Sequence, residues 1–212
     1  MNSVLGWNAV LAALDYFKTK FTDFNVYSYL PIPVFVGYII IGMLFHSMSS
    51  RFKYVTLIVF GNLLIDFGMV GLLVTSIFFS QTTEGFYLLL FFALVIGIGA
   101  NINEITIYAM INYLSVEVVS RYTIGSAFSG LFITAIRTII LAIAGSDNSQ
   151  ISSAILYFSL AIAFNILAIA LNVYFCSSQI YKEKVENYIV YDDHKKNEDL
   201  IKKHSVPVEY IQ

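Results

Sequence analysis

The stretch Gly99-Ala-Asn-Ile-Asn-Glu-Ile-Thr-Ile-Tyr108 decides the reading of this chain, because it sets two carboxamides and a carboxylate inside a long apolar run. Phe86 to Ile98 ahead of it is almost wholly apolar, and Ala109 to Leu114 behind it is broken only by Asn112. Such a run exceeds the roughly 20 helical residues needed to cross the hydrocarbon core of a bilayer. A charge at that depth is costly unless it faces a packed interior or a water-filled path. Glu104 therefore marks a functional site by default.

The composition agrees with a membrane setting. Hydrophobic residues make up 58% of the chain and charged residues 12%, with a mean hydropathy of +0.75. A soluble domain carries about a quarter charged residues, so most of this surface must meet lipid. The 15 tyrosines and 18 phenylalanines suit interfacial anchoring and aromatic packing. A net charge of -2 without a basic patch excludes nucleic acid as a partner. Cys176 is the single cysteine, which excludes a disulfide framework and a cysteine metal cluster. There is no N-glycosylation acceptor, no Ser-His-Asp set, no His-rich metal pattern and no phosphate loop. No enzymatic activity, catalytic residue, metal site or cofactor is expected.

Six apolar segments follow one another: Val4–Phe17, Pro33–Met48, Tyr54–Phe79, Phe86–Leu114, Val118–Ala144 and Ile151–Cys176. The last four exceed the crossing length easily, the second is marginal and the first is short. The first lacks a preceding basic residue and contains Asp15, so it reads as a retained helix rather than a signal peptide. The expected fold is an all-α polytopic membrane protein, with six transmembrane helices over residues 1–176 and a charged tail over 177–212.

Loop charges set the orientation. Arg51 and Lys53 fall between segments two and three, and Arg121 between four and five. Lys182, Lys184, Lys195, Lys196, Lys202 and Lys203 lie in the tail. The opposite side holds only Lys18 and Lys20, since Gln81–Gly85 and Gly145–Gln150 carry no base. The positive-inside rule puts both termini in the cytoplasm, and the plasma membrane is the expected location. The tail mixes acids and lysines with scattered Ile, Val and Tyr, consistent with an amphipathic surface helix over about Gln179–Tyr191 and a solvated remainder.

Within segment four, Asn101, Glu104 and Tyr108 follow an i, i+3, i+7 spacing and share one helix face. Asn103 and Thr106 lie off its centre and suit helix–helix hydrogen bonds. In segment five, Gly125-Ser-Ala-Phe-Ser-Gly130 is a small-residue pattern that permits close helix approach, and Arg137 follows Gly130 by about two turns on the same side. Arg137 is a candidate ion-pair partner for Glu104, with Asp66 of segment three as a second acid in reach. Asp15 sits near a helix end and reads as interfacial.

These residues together resemble the N-terminal half of the equilibrative nucleoside transporter family. Trp7-Asn8 followed by Ala13-Leu-Asp-Tyr-Phe17 resembles that family's first-helix Leu-Pro-Trp-Asn and the small residue and Tyr-Phe after it. The opening stretch is similar to Gly-Asn-Ala-Ile-Gln-Gln-Asn-Ser-Ile-Tyr-Gly of the fourth helix. Arg121-Tyr122, Gly125 to Gly130 and Arg137-Thr138 resemble the fifth-helix pattern in the same order. The likeness covers roughly residues 4–190, and the tail falls where the family has its long central loop.

The resemblance implies one half of a major-facilitator-type transporter that carries a nucleoside or nucleobase by facilitated diffusion and alternating access. Trp7 and Leu11 would line the substrate site with Asn101, Glu104 and Tyr108, and Arg137 would sit behind Glu104 as a gating ion pair. The chain departs from the pattern at Gly6, Glu104, Ala109 and Ser126, where the family has proline, glutamine, glycine and glutamine. The acidic departure adds proton coupling at Glu104 as an expectation. The expected partners are the substrate, the lipid bilayer and a second helical bundle, either a C-terminal half or another chain. The short first segment favours an incomplete chain. The alternative is a degenerate transporter half acting as a structural or assembly subunit of a membrane complex.

Overall fold

The computed structural model describes residues 5–49, 52–114, 116–144 and 150–186, and every regular element among them is helical. In chain order they are α1 (Leu5–Ala12), α2 (Leu14–Lys20), α3 (Val26–Tyr29), α4 (Pro31–Ser49), α5 (Tyr54–Phe78), α6 (Thr83–Ile111), α7 (Val116–Ala144), α8 (Gln150–Ser177) and α9 (Gln179–Tyr181), with a π-helical turn at Lys182–Glu186. Among the described residues, five spans are long and apolar enough to cross a membrane: Val26–Phe45, Tyr54–Phe78, Thr83–Ile111, Val116–Ile143 and Ile151–Ser177. The chain is an all-α polytopic membrane protein.

The count of six is corrected to five spans and one bent segment. The expected first helix, Val4–Phe17, is divided at Ala13, where the chain tightens into a three-residue turn with the Ala13 amide bonded to the Val10 carbonyl at 3.1 Å. Among the described residues the resulting helices have 8 and 7 residues, each well short of the crossing length. Short as it is, this segment fills the middle of the bundle. Ala9, Val10, Ala13 and Phe17 are fully buried, and Tyr16 nearly so. It packs chiefly on α7 and also touches α5, α6 and α8.

Lipid tails are as apolar as leucine, so these helices associate through close packing and interhelical hydrogen bonds rather than hydrophobic expulsion. The tightest interfaces join α6 to α5 and α4. They depend on glycine. A Cβ at Gly99 would lie 2.5 Å from the Gly61 carbonyl oxygen, and one at Gly97 would strike the Val34 backbone. Polar pegs fix the register elsewhere: Asn8 donates to Ser129 at 3.1 Å, Tyr157 to the Ala9 carbonyl at 3.1 Å, and the Tyr16 hydroxyl meets Ser76 at 3.1 Å.

Several helix ends differ from the sequence reading, two of them with a visible cap. Helix α6 starts at Thr83 rather than Phe86, because the Thr82 hydroxyl caps it by accepting from the Gly85 amide at 3.0 Å. Beyond α8 the Ser178 hydroxyl starts α9, and the π-helical turn follows. The rest of the amphipathic helix expected to Tyr191 lies outside the described residues.

Candidate functional site

The i, i+3, i+7 face of α6 turns toward α4 and α7. Asn101 is 6% exposed and its amide donates to the Tyr38 backbone carbonyl of α4. One turn on, the Tyr38 hydroxyl lies within electrostatic reach of the Glu104 carboxylate. One turn further, the Tyr108 ring meets Tyr122 of α7 edge-on, with centroids 5.3 Å apart. Tyr122 in turn lies close enough to Tyr38 for their hydroxyls to interact electrostatically. Glu104 is thus a half-buried intramembrane carboxylate set among Tyr38, Tyr108 and Tyr122, with no cation paired to it among the described residues. A carboxyl group beside a hydroxyl keeps lone pairs able to accept further hydrogen bonds.

Helix α4 also links this face to the first segment. Trp7 of α1 packs edge-on against Phe35 with centroids 6.1 Å apart, and Phe35 lies one turn before Tyr38. Leu11, one turn after Trp7, is 39% exposed. The structure therefore sets Trp7 and Glu104 along one edge of α4, with Leu11 beside Trp7 on the outer side of α1.

The expected pairing of Arg137 with Glu104 is not formed, nor is a pairing with Asp66. Arg137 faces the α1–α2 segment and meets Asp15, with its closest nitrogen 3.4 Å from the carboxylate. The reason is rotational. Ser129 and Gly130 pack on Asn8 of α1, and two turns later the same side of α7 meets α2. The Arg137 side chain is 5% exposed, while that of Asp15 is 55% exposed. The guanidinium carbon stands 5.4 Å from the Tyr157 ring centroid, a cation–π arrangement. Arg137 Nε and Nη1 are buried and make no hydrogen bond.

Asp66 belongs to a separate polar chain between α5, α6 and α8. Asn165 is fully buried and donates to Asp66 at 2.9 Å and to the Asn62 carbonyl at 3.2 Å. Asn62 and Asn103, also fully buried, face each other across α5 and α6. The Asn103 amide is satisfied with its nitrogen toward the Ile58 carbonyl at 2.9 Å and its oxygen toward the Asn62 amide at 3.2 Å. Asn103 bonds between helices as expected, whereas Thr106 bonds back to the Ile102 carbonyl of its own helix at 2.6 Å.

Sequence reasoning did not single out Tyr38, Asn62, Tyr157 or Asn165, and it set Asp15 aside. Each is an isolated polar residue in an apolar run. The signal available was cost: an amide or carboxylate at membrane depth needs a partner, so Asn62 and Asn165 pointed to each other's helices. No protein family, no curated protein and no solved structure matches this chain.

Proposed function

We propose that this chain is one helical bundle of a membrane transporter for a nucleoside or nucleobase, working opposite a second bundle, with its lysine-bearing C-terminal tail in the cytoplasm and the plasma membrane as its location. The observation that carries the reading is the state of Glu104. It lies on an interhelical face beside the Tyr38 hydroxyl and is not ion-paired with Arg137, which meets Asp15. A locked ion pair has no capacity left for a ligand. A carboxylate among phenols can accept from a ribose hydroxyl or a base amine. Trp7 and Phe35 supply an aromatic surface on the same edge of α4 against which a base can stack.

In this role Glu104 is the hydrogen-bond acceptor, Tyr38 orients it, Asn101 fixes α6 to α4, and Trp7 with Leu11 forms the apolar side. The test is ligand-induced stabilisation in detergent. A nucleoside at about 100 times its Kd raises stability by about 2.7 kcal/mol. Uridine or adenosine is expected to raise the unfolding temperature of the native chain, and Glu104→Gln is expected to weaken that rise. No shift with any nucleoside or nucleobase would refute the binding role.

A second reading, an assembly subunit, is favoured by one observation. The apolar stretches of α4 and α7 are only 22% buried, against 50% and 56% in α5 and α6. Apolar faces flanking the α6 site are therefore available to a neighbouring helical protein.

A further inference from the structure

A crevice of about 520 Å³ opens between α6, α7 and α8, at the end of the bundle where α6 stops and α7 begins. Its wall is formed mainly by Ile107, Met110, Phe132, Phe164, Leu167 and Leu171. Phe132 and Phe164 pack edge-on 5.4 Å apart and narrow its inner end. The polar side chains that reach it are Arg121, Tyr122 and Asn172, and the Asn172 amide already donates to the Ala168 carbonyl at 2.9 Å. A nucleoside would leave most of its hydroxyls and ring nitrogens unpaired against such a wall, and that burial is costly. Hydrocarbon would not.

Dimensions and charge agree on the occupant. Arg121 and Phe132 are separated by roughly 16 Å along α7 at 1.5 Å per residue, close to the thickness of one hydrocarbon leaflet, about 15 Å. Gly125 between them has no atom within 4 Å of where a Cβ would stand, so this part of α7 is not closed against its neighbours there. Arg121 stands at the outer end. Its side chain is 77% exposed and paired with Glu117 of its own helix. An exposed pair of this kind is weak, whereas a phosphate accepts two parallel hydrogen bonds from a guanidinium. Tyr54 and Tyr181 pack in one cluster with Ile107, Met110 and Ile111, which brings the neighbouring Lys53 and Lys182 to this same end. At this end Arg121, Lys53 and Lys182 outnumber the acids Glu117 and Glu183, and a guanidinium over an apolar slot between membrane helices matches an acidic lipid headgroup above its acyl chain.

We propose that this crevice binds an anionic phospholipid, with one acyl chain between α6, α7 and α8 and its phosphate on Arg121. The assignment stands whether the chain transports a nucleoside or not. Trp7 is the single tryptophan, so a Trp7→Phe, Phe164→Trp variant carries its only indole in the crevice. Reconstituted with brominated phosphatidylglycerol or brominated phosphatidylcholine, it reports occupancy by fluorescence quenching. Half-maximal quenching is expected at about a fivefold lower mole fraction of the anionic lipid, the preference of one arginine for an acidic headgroup. Arg121→Gln in the same background is expected to erase that preference while circular dichroism shows the helices unchanged. Equal quenching by the two lipids, a preference that survives Arg121→Gln, or relief of quenching by uridine would each overturn the proposal.

Discussion

Arg137 of α7 and Asp15 of α2 lie 122 positions apart in the chain, and one guanidinium nitrogen meets both carboxylate oxygens at 3.4 and 3.5 Å. The contact is long, the acid is half exposed, and two of the arginine's nitrogens have no hydrogen bond. Replacing such a buried cation by an apolar side chain of similar volume is often neutral or stabilising, whereas removing its acid leaves the charge uncompensated. Arg137→Met is expected to unfold in mixed micelles at the same denaturant strength as the native chain or a higher one. Asp15→Asn is expected to lose about 1 kcal/mol, a value held down by the exposure of Asp15. A large loss in Arg137→Met would show that the pair is a net stabiliser.

The Tyr38 hydroxyl and Glu104 are expected to be coupled. Interhelical hydrogen bonds in membranes average about 0.6 kcal/mol in double-mutant cycles and reach about 1.7. A cycle of Tyr38→Phe and Glu104→Gln should return a coupling energy in the upper part of that range, because one partner carries charge. A value indistinguishable from zero would mean that the two groups do not hold each other.

The Asp66–Asn165–Asn62–Asn103 chain gives an asymmetric expectation. Asp66→Asn keeps an acceptor for the Asn165 amide and should cost little. Asn165→Leu strips Asp66 of the side chain that donates to it and should cost about 1–3 kcal/mol, the penalty for leaving a buried polar group unsatisfied. Unfolding of the two variants side by side checks the order, which would be reversed if the Asp66 charge itself held the helices.

Gly97 and Gly99 set the spacing of α4, α5 and α6. Gly97→Val forces a branched side chain onto the Val34 backbone, which cannot move aside as a flexible side chain would. Overpacking of this kind costs about 1–3 kcal/mol in ordinary cores and more where backbone meets backbone. The variant should yield little folded protein by size-exclusion chromatography, while Gly125→Ala, which meets open space, should be indistinguishable from the native chain.

The spans were legible because hydropathy is a one-dimensional property. Tyr54–Phe79, Val118–Ala144 and Ile151–Cys176 each differ from the observed helices by no more than two residues at either end. The shared face of Asn101, Glu104 and Tyr108 was also legible, since helical periodicity alone fixes it. What periodicity cannot give is which helix stands opposite that face. Arg137 was assigned to Glu104 or Asp66 because those acids lie deeper in their spans. The rotation set by Ser129 and Gly130 on Asn8 gave it Asp15 instead, and Glu104 was left to Tyr38. The break at Ala13 has no proline or glycine to announce it, so a single short helix was the natural reading of Val4–Phe17.

We propose that Glu104, unpaired with Arg137, sits on the substrate face of a transporter bundle. Counterflow of labelled uridine or adenosine in proteoliposomes, with this chain alone and with the membrane complex it forms, tests that claim most directly. Exchange is expected in at least one of the two preparations, with a severalfold fall in rate for Glu104→Gln and no matching fall for Arg137→Met. Absence of exchange from both preparations, with the chain stably incorporated into its complex, would contradict the account and leave the bundle as a structural subunit.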